Sequence, residues 1–233
     1  EIQKNYPNLW VFDEEDEGKN MFEQELLKSQ IQRLGKNYKT FYEKSNNLKS
    51  GQRIVENLKE ILKNDLSVLV FNFVDMMLHS RTDSEMMKEL AADEAAYLSL
   101  TKSWFQHSDL KLLLSEASKH NVKVVITTDH GTIRVQSPIK VIGDKATSTN
   151  LRYKLGKSLN YNPKEVFEVR KPEEAHLPKP NVSSSFIFAY GNSFIAYPNN
   201  YNYYVNYYKN TFQHGGISME EMIIPFVVLS PIK

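Results

Sequence analysis

The chain contains no cysteine. That excludes a disulfide scaffold and a thiol nucleophile, and it limits any transition-metal site to imidazole and carboxylate ligands. Such a set suits zinc and, with more carboxylate, manganese or magnesium. Charge of one sign is also lacking: 29 Lys and Arg stand against 28 Asp and Glu, a net +1. No global field therefore draws the protein onto nucleic acid or an anionic membrane. No run approaches the roughly 20 apolar residues of a membrane span, and the opening Glu1-Ile2-Gln3-Lys4-Asn5-Tyr6 lacks the apolar stretch of a secretory signal. A cytoplasmic location without a membrane partner is the expectation. Neither an internal repeat nor a low-complexity linker interrupts the chain, so residues 1–233 read as a single domain. At that length a core can be buried without staples. The chain opens with Glu, and Leu9-Trp10-Val11-Phe12 already reads as domain interior, which predicts a piece of a longer polypeptide.

What is present has an α/β texture. Leu9 to Phe12 reads as a short strand. Asp13-Glu14-Glu15-Asp16-Glu17 follows as a helix amino terminus, where carboxylates meet the positive end of the macrodipole. Phe22, Leu26, Leu27, Ile31 and Leu34 then recur at helical spacing, as do Ile54, Leu58, Ile61 and Leu62. Leu66 to Val74 is a mostly apolar, β-branched and aromatic run of the kind buried on both faces of a parallel sheet. Helical stretches over 85–106 and 108–120 lead to a second such run, Val122 to Thr127, expected beside the first in one sheet through a right-handed crossover.

From Thr132 to about Asn210 short alternating segments replace this pattern, including a predicted hairpin, Phe186–Tyr190 and Ser193–Tyr197, on the turn Gly191-Asn192. Lys171 to Pro180 reads as a loop, and Met222 to Leu229 as a strand with Pro225 marking an edge or a start. The expected fold is a largely parallel sheet flanked by helices, with a β-rich insertion ahead of His214.

Chemistry concentrates in three places: Val74-Asp75-Met76-Met77-Leu78-His79, Thr127-Thr128-Asp129-His130-Gly131 and Gln213-His214-Gly215-Gly216. Ligands in an open α/β sheet collect beyond the carboxyl ends of strands, where Asp75 and Asp129-His130 are expected. Taken singly each motif is weak: an Asp-x-x-x-His, a loop with a capping Asp, a glycine turn. Their conjunction and order point to a two-metal phosphoryl-transfer site. His107, His120 and His176 fall at helix ends and in the Pro-rich loop, and read as solvated or capping.

This conjunction resembles the alkaline phosphatase superfamily, whose order is an early Asp and Ser/Thr nucleophile, then Asp-x-x-x-His, Asp-His and a late His. A closer resemblance lies in Leu9–Gly18, Phe71–Arg81 and Ala146–Lys154, which look like the PglZ effector domain of PorX-type response regulators. That resemblance implies an alkaline phosphatase-like fold in which Asp75, His79 and His214 hold one zinc ion, and Asp129 and His130 most of a second. It also implies a receiver domain in the same polypeptide, control of type IX secretion and a phosphoester substrate, oligonucleotides included; a homodimer is compatible with it. The family's early metal Asp and Thr nucleophile should precede Leu9, and residues 1–8 do not supply them, so the nucleophile is expected upstream of Glu1. Asp13 is the nearest substitute, but it sits inside the acidic helix start. On this reading the chain alone binds metal incompletely and catalyses poorly.

Two divalent ions about 4 Å apart clamp a phosphoryl group, and nearby cations stabilise the charge on its oxygens. Arg152 and Lys154 are candidates for such a substrate contact, against the alternative of a solvated strand face. Tyr197, Tyr201, Tyr203, Tyr204, Tyr207 and Tyr208 offer base stacking, against a simple packing helix. A non-catalytic, metal-stabilised signalling module and a phosphomutase of the same superfamily are the competing functions.

Overall fold

The computed structural model describes residues 5–9, 22–144 and 147–231. Trp10 to Phe12 of the expected first strand, and the acidic run Asp13 to Glu17, lie outside them; Leu9 is in a turn. Two compact units are formed, one from the residues up to Ile126 together with those from Val227, the other from residues 127–226.

In the first unit α1 (Glu23–Arg33) precedes β1 (Thr40–Ser45), a strand the hydrophobic pattern did not announce because it is only partly buried and carries the charged Glu43 and Lys44. Helices α2 (Leu48–Glu56) and α3 (Leu58–Ile61) follow, then β2 (Leu66–Phe71), which pairs in parallel with β1, Thr40 opposite Leu66. Asn47 starts α2 by accepting the Ser50 N–H at 3.0 Å, with the Ser50 hydroxyl answering in a capping box. Ile54, Leu58, Ile61 and Leu113 form the core, flanked by Phe41, Leu69 and Phe71.

The predicted strand over Leu66–Val74 stops at Phe71. Asn72 turns the chain, and α4 (Phe73–Asp83) begins there, with Phe73 stacked on Trp104 at 4.8 Å. Helices α5 (Glu85–Leu90), α6 (Glu94–His107) and α7 (Asp109–Ala117) occupy the expected helical stretches, and β3 (Val124–Thr127) follows. The two apolar runs are not neighbours among the described residues: β2 pairs with β1, and β3 pairs with the last strand, β11 (Phe226–Leu229). Apolar character marks a strand for a sheet but does not choose its partner. Pro225 stands just before β11, at the strand start as expected.

The second unit is β-rich, as the sequence texture implied. Strand β4 (Ile133–Arg134) pairs antiparallel with β10 (Phe212–Gln213), and β5 (Ser137–Lys140) runs parallel to β9 (Ser193–Ala196). Strands β6 (Tyr153–Gly156) and β7 (Phe167–Val169) flank β8 (Ser185–Phe188), both antiparallel to it. The expected hairpin is therefore absent: the chain does turn at Gly191-Asn192, with Gly191 at φ +54°, but β8 and β9 enter different sheets. Burial explains the split. Phe186, Ile187, Phe194 and Ile195 are adjacent pairs and all buried, so both faces of each strand need cover that a two-stranded ribbon cannot give. A single 3-10 turn, Pro172–Ala175, punctuates the Pro-rich loop. Helix α8 (Tyr201–Tyr208) packs Tyr201, Val205 and Tyr208 on Val135, Phe194 and Ala196. The short α9 (Met219–Met222) closes the unit. No helix among the described residues is long and apolar enough to cross a membrane.

Candidate metal centre

Asp75 lies in the first turn of α4, beside the helix amino terminus, where the macrodipole favours a carboxylate. His79 is four residues on, hence on the same helix face, and its Nε2 stands 3.4 Å from Asp75 Oδ1. The i, i+4 spacing thus produces a preformed carboxylate–imidazole pair. Tyr97 of α6 belongs to this environment: burial above all, and the Asp75 charge in addition, push its phenol up to about 12.

In the other unit the β4–β10 ladder does the positioning. Ile133 faces Gln213, so the residues just before β4 and just after β10 emerge side by side. Thr132 reinforces the register by donating from Oγ1 to the Gln213 carbonyl at 3.0 Å. His130 and His214 consequently meet, their rings stacked with centroids 3.8 Å apart and 12° between planes. His130 Nδ1 lies 2.9 Å from the Gly131 carbonyl oxygen. A carbonyl only accepts, so Nδ1 is the donor in this contact, and in the neutral ring that leaves the Nε2 lone pair for a metal. Asp129 is exposed at the corner, and its Oδ1 accepts the His130 N–H at 3.0 Å, so it caps the loop. The donor chemistry of these residues fits a divalent ion such as zinc, which binds carboxylate oxygen and neutral imidazole nitrogen.

His107, His120 and His176 are exposed, at the end of α6, after α7 and after the 3-10 turn, in keeping with the capping or solvated expectation.

Arg152 and Lys154 are placed otherwise than either reading supposed. Both are buried. Arg152 donates from Nε and Nη2 to the Glu221 carboxylate at 2.8 and 2.6 Å, and from Nη1 to the Ser193 carbonyl. Lys154 donates to the Ser148 carbonyl at 2.8 Å and lies over the Tyr197 ring. Strand β6 is the outer member of its sheet, but Lys154 on it and Arg152 just before it are covered, and both cations are engaged in holding the scaffold together. Tyr203, stacked on Tyr207, is the exposed edge of α8, whose other face is the packing helix foreseen.

Glu221 is the buried, ion-paired carboxylate that the sequence reading passed over. Its signal was available as Ser218-x-x-Glu221, a capping-box spelling in which the Glu side chain accepts the N-cap amide.

A family model described as the BREX system PglZ alkaline phosphatase-like domain matches residues 1–229. The chain belongs to the PglZ family. The matched residues include parts of both units. Among solved structures, this PglZ domain is similar to phosphonoacetate hydrolase from Sinorhizobium meliloti 1021, in complex with phosphonoformate and in complex with phosphonoacetate. Each match has 12% identity and a TM-score of 0.46, over 80% of this chain and 51% of the hydrolase. The PglZ domain therefore spans about half the length of those structures. Curated proteins gave no match.

Proposed function

We propose that this PglZ domain is the metal-binding part of a zinc-dependent phosphoester hydrolase, a phosphodiesterase acting on substrates such as oligonucleotides. The observation that carries the reading is the His130–His214 ring pair, built by the β4–β10 ladder with the Nδ1 proton of His130 turned away to a carbonyl. Family membership and the order of motifs along the chain support the ligand assignment: Asp75, His79 and His214 for one ion, Asp129 and His130 for the other. When bound, the ions supply Lewis-acid stabilisation of the phosphoryl oxygens and activation of the nucleophile.

The chain's own residues hold and orient. The α4 pair Asp75–His79 presents a carboxylate and an imidazole from one helix face. The Asp129-His130-Gly131 corner directs one imidazole nitrogen outward, and Gly131 lets the corner close against α9. The setting proposed is a cytoplasmic response-regulator effector, joined to a receiver domain and acting in type IX secretion.

Zinc content and bis-p-nitrophenyl phosphate turnover are to be measured on the full-length protein, on Asp129→Ala and on His214→Ala. Loss of metal and of turnover in both variants is expected. Unchanged metal content in both would sink the ligand assignment. Metal loss in the variants of a parent that turns over no phosphoester would leave the non-catalytic signalling module.

A further inference from the structure

Glu221 lies outside the ligand set, yet more hydrogen bonds end on it than on any side chain of its surroundings. Its Oε1 accepts from Arg152 Nε and from the Gly216 N–H at 2.8 and 2.9 Å. Its Oε2 accepts from Arg152 Nη2 at 2.6 Å, from the Ser218 N–H at 3.1 Å and from the Ser218 hydroxyl. Its own backbone carbonyl accepts the Gly131 N–H at 2.8 Å. One residue therefore fastens the loop two positions after His214 through its side chain, and the corner one position after His130 through its main chain.

Close packing shows that these attachments are tight. A Cβ on Gly131 would stand 2.0 Å from the Glu220 carbonyl oxygen, and one on Gly216 would stand 2.7 Å from Arg152 Nη2 and from the Ala189 carbonyl oxygen. Arg152 fixes the other side of the clamp. Its guanidinium reaches the Ser193 and Ala189 carbonyls, while its own carbonyl accepts the Ala189 N–H at 2.7 Å. The Ile217 N–H closes the circuit on the Ala189 carbonyl at 3.1 Å.

We propose that the buried Arg152–Glu221 pair is the positioning clamp that sets the stacked imidazoles of His130 and His214. The metal-affinity consequence rests on the zinc-site reading above; the ring geometry does not. Positioning partners behind metal ligands typically change affinity by about 10–100-fold.

Glu221→Gln is the direct probe, because an amide nitrogen would face the Arg152 guanidinium and the Ser218 N–H, donor against donor. The milder Ser218→Ala removes one hydroxyl donor and leaves the ion pair, which keeps the test alive should Glu221→Gln fail to fold. In the full-length protein, zinc affinity is read by chelator competition, and ligand geometry by the visible spectrum of the cobalt(II)-substituted protein. The ring-current-shifted imidazole resonances of His130 and His214, assigned with His→Gln variants, are read without metal. Expected are about 10–100-fold weaker zinc binding for Glu221→Gln, a smaller loss for Ser218→Ala, an altered cobalt spectrum, and imidazole resonances moved toward unstacked positions. A folded Glu221→Gln protein with unmoved imidazole resonances would overturn the clamp, as would an unmoved Ser218→Ala if Glu221→Gln does not fold. A parent that binds no zinc overturns the metal reading alone, since the metal-free resonances still decide the clamp.

Discussion

A carboxylate only 3% exposed, as Glu221 is, stays ionised when donors replace the water it has lost. Burial raises its pKa, but the hydrogen bonds from Arg152, Ser218 and Gly216 together outweigh that and hold it below the ordinary carboxylate value. The sign of the linkage follows. A depressed folded pKa contributes stability that is complete above the unfolded value, about 4.3 for Glu, and is lost as pH falls through the folded one. The stability gap between the parent and Glu221→Gln should therefore be constant near neutrality and shrink in acid, as read from denaturation midpoints at a series of pH values. Removing the other partner is more damaging: Arg152→Met strands a buried charge and should cost about 3–5 kcal/mol in chemical denaturation. Gly131→Ala meets a backbone carbonyl that cannot rotate aside, so a loss of about 1–3 kcal/mol is expected from the same measurement.

Elements place the candidate ligands by two unlike devices. Helix α4 uses periodicity alone, Asp75 and His79 being a turn apart. The β4–β10 ladder uses register between strands whose residues lie some eighty positions apart, and a slip by one residue would turn its side chains to the opposite face. The first device was legible in the sequence; the second was not, because two-residue strands give no periodic signal. The capping box of α2 is a clean local test of the first unit, since Asn47 satisfies an amide at the helix start. Asn47→Ala should lower stability by about 1 kcal/mol, checked by urea denaturation, with no change in the imidazole resonances of His130 and His214.

At the scale of the whole molecule, the cores are separate sets of side chains: Ile54, Leu58, Ile61 and Leu113 in one, Ile139, Val141, Ile187 and Ile195 in another. Ile54→Ala and Ile195→Ala should each cost about 2–5 kcal/mol, and the double variant should lie within about 0.5 kcal/mol of their sum; a larger deviation would show that the cores are coupled. The sequence by itself determined the family, the α/β alternation, the β-rich stretch before His214 and the residue types able to hold metal, because these depend on local periodicity and on the order of motifs. Tertiary structure alone decided which strands pair, sent β8 and β9 to different sheets and brought His130 onto His214. It also turned Arg152 from a candidate phosphate contact into the buried partner of Glu221. Those outcomes depend on contacts between residues far apart in the chain, which burial and hydrogen-bond satisfaction select and no local pattern encodes.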